Sequence, residues 1–140
     1  MTEGPAPFPP GEQAVRPVRK PWGHELLFAR TALYAGKVIF IRAGEALSLQ
    51  YHRVKDESIY IQSGRLKLEF GAPGKAADEG AEGPLANAVL RPGQAWRIPA
   101  MTRHRFVAIE DTHLFEVSTP DLEDVVRLED RYGRQGTIEP

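Results

Sequence analysis

The sequence predicts an all-β fold, a small antiparallel sandwich or barrel, and three observations carry the prediction. Apolar, β-branched and aromatic residues gather in short runs of three to six. Glycine, proline or charged turns separate these runs at close intervals, as strands of a sandwich or barrel require. No stretch shows the long helical periodicity that a crossover connection needs. At 140 residues the chain is most economically one domain, large enough to bury about two-thirds of its unfolded surface.

Residues 1–19 hold five of the twelve prolines and no periodicity, so they read as an irregular N-terminal arm. Lys20-Pro21-Trp22-Gly23 punctuates the chain before the first apolar run, residues 25–29, with Trp22 read as packing. Residues 38–41 form a second strand, ended by the turn Ala43-Gly44-Glu45. Further strands are expected at 47–52, 58–62, 66–70, 88–90, 95–98, 105–109 and 113–118, with Gly64, Pro92-Gly93 and Pro99 at most of the breaks. Residues 71–87 are small, glycine-rich and acidic, and are expected to form an exposed loop or hairpin extension. Residues 120–134 fit an extended segment laid over the barrel; Val125, Val126 and Leu128 also fit one or two helical turns. Residues 20–134 thus make the domain, followed by a tail at 135–140.

Composition excludes several functions. The net charge is −1, from 18 basic and 19 acidic residues, and no basic run offers a nucleic-acid or anionic-membrane footprint. The absence of cysteine removes disulfides, thiolate ligands and a cysteine nucleophile, so any metal is held by nitrogen and oxygen. The N-terminal residues lack a signal-peptide pattern and no apolar run reaches membrane-spanning length, which makes the cytoplasm the default location.

One stretch asks for a chemical explanation. Gln50 and His52 stand two apart in a strand-like segment, so their side chains leave the same face. Glu57 follows after a charged turn and opens the apolar run Ile59-Tyr60-Ile61. An amide oxygen, an imidazole and a carboxylate from neighbouring strands suit a divalent ion of intermediate hardness. A fourth donor is available in His104, which opens a strand after the turn that follows Pro99. A glutamate and two imidazoles facing one cavity are costly without a cation, so the set is read as a metal site. Nitrogen and oxygen donors admit zinc, manganese, cobalt, nickel or iron.

The spacing Gly44, five residues, Gln50-x-His52, four residues, Glu57, six residues, Gly64, then Gly93, five residues, Pro99, four residues, His104 resembles the two motifs of the cupin superfamily. Within it, Gln50-x-His52 after Leu47-Ser48-Leu49 is similar to the cupin domain of the type II mannose-6-phosphate isomerases. Lys20-Pro21-Trp22-Gly23, Ser63-Gly64, Ile98-Pro99, His104-Arg105 and the Tyr132-Gly133-Arg134 ending also resemble that family, and the likeness runs from about Lys20 to Arg134. The resemblance implies a jelly-roll barrel (double-stranded β-helix), one divalent ion on Gln50, His52, Glu57 and His104, a phosphorylated sugar as substrate, its isomerisation as the activity, and a homodimer. The chain departs from the family at Arg53, Val54, Lys55 and Ser58, where histidines and an arginine are usual, and at Ala108, near the place of an asparagine.

Isomerisation through an enediol needs a proton carrier that is not itself a ligand, and Lys55 and Glu116 are the candidates, although lysine and glutamate on strands ordinarily face water. A phosphate needs arginine or lysine at the cavity mouth. Of Arg97, Arg103, Arg105 and Arg134, the two preferred are Arg105, beside His104, and Arg134. Alternation puts Trp96 and Ile98 on one face and Arg97 on the other. His24 and His113 read as surface residues; Tyr51, Tyr60 and Phe106 read as packing, one of them with a sugar-stacking role. Two competing functions remain on the same barrel: another metal-dependent enzyme such as a dioxygenase, and a non-catalytic sugar- or metabolite-binding module.

Overall fold

A computed structural model describes residues 10–72 and 83–134. Eleven strands are present among them: β1 (Arg16–Lys20), β2 (Gly23–Arg30), β3 (Ala35–Ile41), β4 (Leu49–Tyr51), β5 (Glu57–Ser63), β6 (Leu66–Phe70), β7 (Ala86–Leu90), β8 (Ala95–Ile98), β9 (His104–Ala108), β10 (Thr112–Ser118) and β11 (Val126–Glu129). They build two antiparallel sheets, in the orders β1-β2-β3-β10-β5-β8 and β11-β4-β9-β6-β7. From β3 onward, apart from the β6–β7 hairpin, the chain passes back and forth between the sheets, which is the winding of a jelly roll. The expected all-β architecture is therefore present, as two facing sheets rather than one continuously hydrogen-bonded barrel.

Alternation decides what lies between the sheets. On β10, Thr112, Leu114, Glu116 and Ser118 are buried while His113 and Val117 are exposed. The same period sends Ile39 and Ile41 inward from β3, and Ile59 and Ile61 inward from β5. Leu66, Leu68, Phe106 and Ala108 answer them from the smaller sheet, with Trp22 packed in the same core. The isoleucine, leucine and phenylalanine side chains among them, fully buried, each contribute about 1.5–3 kcal/mol.

The interior changes character along the strands. Reading β5 from Ile61 through Ile59 to Glu57, the inward face passes from apolar to ionisable, and β9 does the same from Ala108 through Phe106 to His104. The register aligns these changes: Ile61 pairs with Leu114, Ile59 with Glu116, and Glu57 with Ser118. One end of the molecule is thus a dry core and the other a buried polar chamber.

Two expectations need correction. Residues 16–19 are not part of an irregular arm but belong to β1, paired with β2 from Arg16↔Leu27 to Lys20↔Gly23. Pro17 is accommodated because β1 is an edge strand, where a missing N–H costs no ladder bond. The loop assigned to 71–87 is shorter at its far end, since Ala86 and Asn87 already pair with Phe70 and Glu69 in β7. Its middle, 73–82, lies outside the described residues, as do residues 1–9 and the tail at 135–140. The extended reading of the C-terminal segment holds, with β11 pairing β4.

Candidate metal centre

His52 follows β4, Glu57 opens β5 and His104 opens β9. Two local devices bring them together. Asp124 accepts the backbone N–H groups of Arg53 (3.0 Å), Val54 (2.7 Å) and Lys55 (2.8 Å), which fixes the turn between His52 and Glu57. Met101, in the left-handed region at φ 64°, donates its N–H to the His52 carbonyl at 2.7 Å and ties the turn before β9 to the end of β4. A side chain larger than glycine holds that backbone at a cost, so the surrounding contacts must enforce it.

The imidazoles are oriented by their far nitrogens. His52 Nδ1 donates to the Asp124 carbonyl at 2.6 Å, and His104 Nδ1 donates to the Thr102 carbonyl at 2.8 Å. A carbonyl only accepts, so Nδ1 carries a proton on both rings, and in the neutral imidazole Nε2 then presents a lone pair. His104 Nε2 lies 3.2 Å from Glu57 Oε1, and His52 Nε2 lies 3.8 Å from Glu57 Oε2. The donor atoms of the three residues fall within 4.8 Å of one another, and all three residues are buried. Both Nε2 atoms and Glu57 Oε1 are buried without a hydrogen-bond partner. Lone pairs facing a carboxylate repel, and a cation between them removes the repulsion. The residues therefore fit a divalent ion, with Nδ1–carbonyl bonds of the kind that orient metal-binding histidines.

Burial pushes the His52 imidazole down to about 4, with the Glu57 charge opposing, so the ring is neutral and ready to ligate at pH 7. Burial alone would raise the Glu57 carboxyl, but the Lys55 ammonium outweighs it and holds the group well below the ordinary carboxylate range.

Lys55 and Glu116 do not face water. Lys55 Nζ lies 3.1 Å from Glu57 Oε2 and 3.2 Å from Glu116 Oε2, and all three side chains are buried. Glu116 pairs with Ile59, two positions from Glu57 on the same inward face, so two buried carboxylates share one small region. The ammonium between them is what makes that tolerable. Burial, and then the Glu57 charge, push Glu116 up to about 7 against the pull of Lys55. Although burial disfavours its charge, Lys55 is held cationic by Glu116 and Glu57, its pKa raised above the lysine value.

The remaining predicted residues divide. Gln50 pairs with His104 across β4 and β9 and lines the cavity beside His52, its amide oxygen accepting from Ser48 Oγ at 3.1 Å. Arg134 also lines that cavity, braced by Asp130 at 3.1 Å. Arg105 is not in the cavity: neighbouring positions on a strand face opposite ways, and its guanidinium bonds Glu69 (2.6 Å) on the outside of the sheet. Arg97 likewise faces out and forms a forked pair with Asp56, at 3.1 and 2.8 Å, while Ile98 is buried. Tyr51 and Phe106 pack inside as expected; Tyr60 is 43% exposed, against Phe115 on the outer face. His24 and His113 are exposed and flank Phe40.

Sequence reasoning missed four residues that shape the chamber. Lys37 and Glu25 form a buried pair at 3.1 Å. Arg127 is buried and stands beside Gln50 in register. Asp124 orders the ligand turn. Lys37 was within reach, since it lies two positions before Ile39 on the same face; Arg127 and Asp124 depend on how β11 docks, which local pattern does not encode. The cavity beside His52 has a volume of about 40 Å3, and a second hollow of about 570 Å3 shares Lys20, Glu25, Lys37, Leu122 and Arg134 with it.

Two wound antiparallel sheets with a His-Glu-His chamber at one end give this chain a cupin-like jelly-roll fold. Solved structures agree. The chain is 19% identical to KdgF from a Halomonas species, covering 77% of this chain and 86% of that one at a TM-score of 0.61. It is 16% identical to the Lactobacillus farciminis oxalate decarboxylase, covering 81% of this chain but only 33% of that one at a TM-score of 0.63. A third similar structure, provisionally named a sugar phosphate isomerase, from Acidithiobacillus ferrooxidans, is 16% identical over 68% of this chain and 56% of that one, with a TM-score of 0.53. No family model matches the sequence, and no curated protein matches it. No helix among the described residues is long and apolar enough to cross a membrane.

Proposed function

We propose that the chain is a single-metal cupin that binds a phosphorylated sugar and isomerises it between aldose and ketose, in the manner of the mannose-6-phosphate isomerases that its motifs resemble. The observation that carries this reading is the convergence of two imidazole lone pairs and a carboxylate, with a second, protonatable carboxylate and a buried ammonium beside them. His52, Glu57 and His104 would hold the ion, with the Gln50 amide as a fourth donor; zinc, manganese, cobalt, nickel and iron all accept such a set. When bound, the ion supplies a Lewis acid that polarises a carbonyl and its adjacent hydroxyl.

Glu57, engaged in the metal set, is poorly free to move a proton. Glu116, at about 7, is suited to accept a proton at one carbon and return it at the next. Lys55 keeps Glu116 in place and donates a hydrogen bond to it. Arg134 is the phosphate-binding candidate that reaches the chamber; Arg105, on the outer face, is not used. A cytoplasmic location and a homodimer belong to the same proposal.

Metal analysis and turnover test it. The purified chain is expected to carry about one divalent ion, to be stabilised by mannose 6-phosphate or fructose 6-phosphate, and to interconvert them. A His52→Ala, His104→Ala double substitution should lose the ion; full metal occupancy in that variant would overturn the ligand assignment. Iron content with oxygen consumption would favour the dioxygenase reading, and binding without turnover the binding-module reading.

A further inference from the structure

The central strands of the six-stranded sheet place their charged residues on the opposite side from the one water would favour. Glu25 on β2, Lys37 on β3, Glu116 on β10 and Glu57 on β5 are all buried on the inward face. The outward positions of these four strands, all among the described residues, hold no aspartate, glutamate, lysine or arginine. An antiparallel sheet with one solvated face ordinarily turns its polar side chains outward. Pairing joins the outward apolar side chains here into one row. Pro17, Leu26, Val38, Phe115, Tyr60 and Ala95 stand in register across all six strands, from β1 to β8. Phe40 flanks the row on one side, between His24 and His113. On the other side Val117 is exposed next to Gly36, over which the exposed Phe28 ring lies, its Cζ only 2.7 Å from where a Cβ would stand.

We propose that a second copy of this chain docks on this outward face, the apolar row of each copy covering that of the other. The inference rests on one part of the proposed function, the homodimer, and deepens it by naming the surface; it requires neither the ion nor the sugar phosphate. Six strands about 4.8 Å apart span about 24 Å, and the seven residues of β10 span about 23 Å, so the face projects about 550 Å2. Specific interfaces bury upwards of about 600 Å2 per partner, and side-chain relief adds to a projected area, so this face alone reaches what a stable dimer needs. The middle of the row falls between β3 and β10, the third and fourth of the six strands. A two-fold axis lying in the interface at that point sets apolar side chains on apolar side chains, as an isologous contact requires. The four central strands offer no charged group to select an oppositely charged partner, so the surface that matches this one is the same surface on another copy.

Sedimentation equilibrium of the full chain, with and without chelator, tests the interface. A mass near twice 15.6 kDa is expected under both conditions. Val117→Lys and Tyr60→Lys, which set a charge on the face, should each weaken dimerisation about thirtyfold or more. Ile109→Lys, at an exposed position just beyond β9 in the smaller sheet, should leave it unchanged. Val117 and Tyr60 are exposed in the single copy, so lysine there is compatible with the fold. Val117→Thr keeps the shape of the side chain and should still weaken the dimer about fivefold or more, which keeps the test open if a lysine variant fails to fold. A wild-type chain that stays monomeric at tens of micromolar overturns both the homodimer and its surface, gives the face to another protein, and leaves the metal and isomerase readings standing. A dimer that none of the three face substitutions weakens is built on another surface and overturns this inference alone. A dimer with the expected responses but without bound ion or turnover supports the interface and counts against the isomerase reading.

Discussion

His52 shows how one residue links folding to pH. Its folded pKa of about 4 lies below the ordinary histidine value of 6.5, because burial disfavours the charged ring. Between those values the unfolded chain takes up a proton that the folded chain refuses, so the stabilisation is complete above about pH 6.5 and is lost as the pH falls through about 4. The metal-free chain is therefore expected to lose up to about 3 kcal/mol of stability from this group over that window, by denaturant titration at stepped pH. Stability that stays flat from pH 7 to 4.5, or falls as steeply in His52→Gln, would refute it. Glu57 acts in the same direction, since its lowered pKa also makes acid destabilising.

At the scale of elements, the turn from His52 to Glu57 depends on the segment before β11. Asp124→Ala removes the acceptor for three backbone N–H groups and is expected to cost about 1–3 kcal/mol. Because the same residue orients His52 through its carbonyl, metal affinity should fall about tenfold or more as the turn loosens. Chemical denaturation and metal titration of the one variant read both effects, and an unchanged metal affinity would dissociate the turn from the site.

Over the whole molecule, the donor set spans the two sheets. His52 and His104 stand at strands of the smaller sheet, and Glu57 opens a strand of the larger. An ion held by all three would cross-link the sheets, so metal at a hundredfold excess over its dissociation constant should stabilise global unfolding by about 2.7 kcal/mol. Thermal melts with and without chelator measure this. An equal shift in the His52→Ala, His104→Ala variant would place the ion elsewhere.

Much of this was legible locally. Alternation in Leu66–Phe70 and Ala95–Ile98 marks those strands to the residue, because a half-buried strand writes its two faces into a period of two. The convergence of His52, Glu57 and His104 was legible through spacing, since strand geometry and short turns carry that spacing directly into space. Three things were decided only by tertiary structure. Proline content hid β1, because an edge position tolerates Pro17. Arg105, next to His104 in sequence, is turned outward by the same alternation that turns His104 inward. Lys55 and Glu116, charged and thus expected at the surface, are buried because sheet pairing sets Glu116 near Glu57 and a cation must separate them. The sequence by itself determined most of the strands and the spacing that brings His52, Glu57 and His104 together; which charged side chains share the chamber with them was decided by the docking of strands distant in the chain, since burial and charge pairing are properties of neighbours in space.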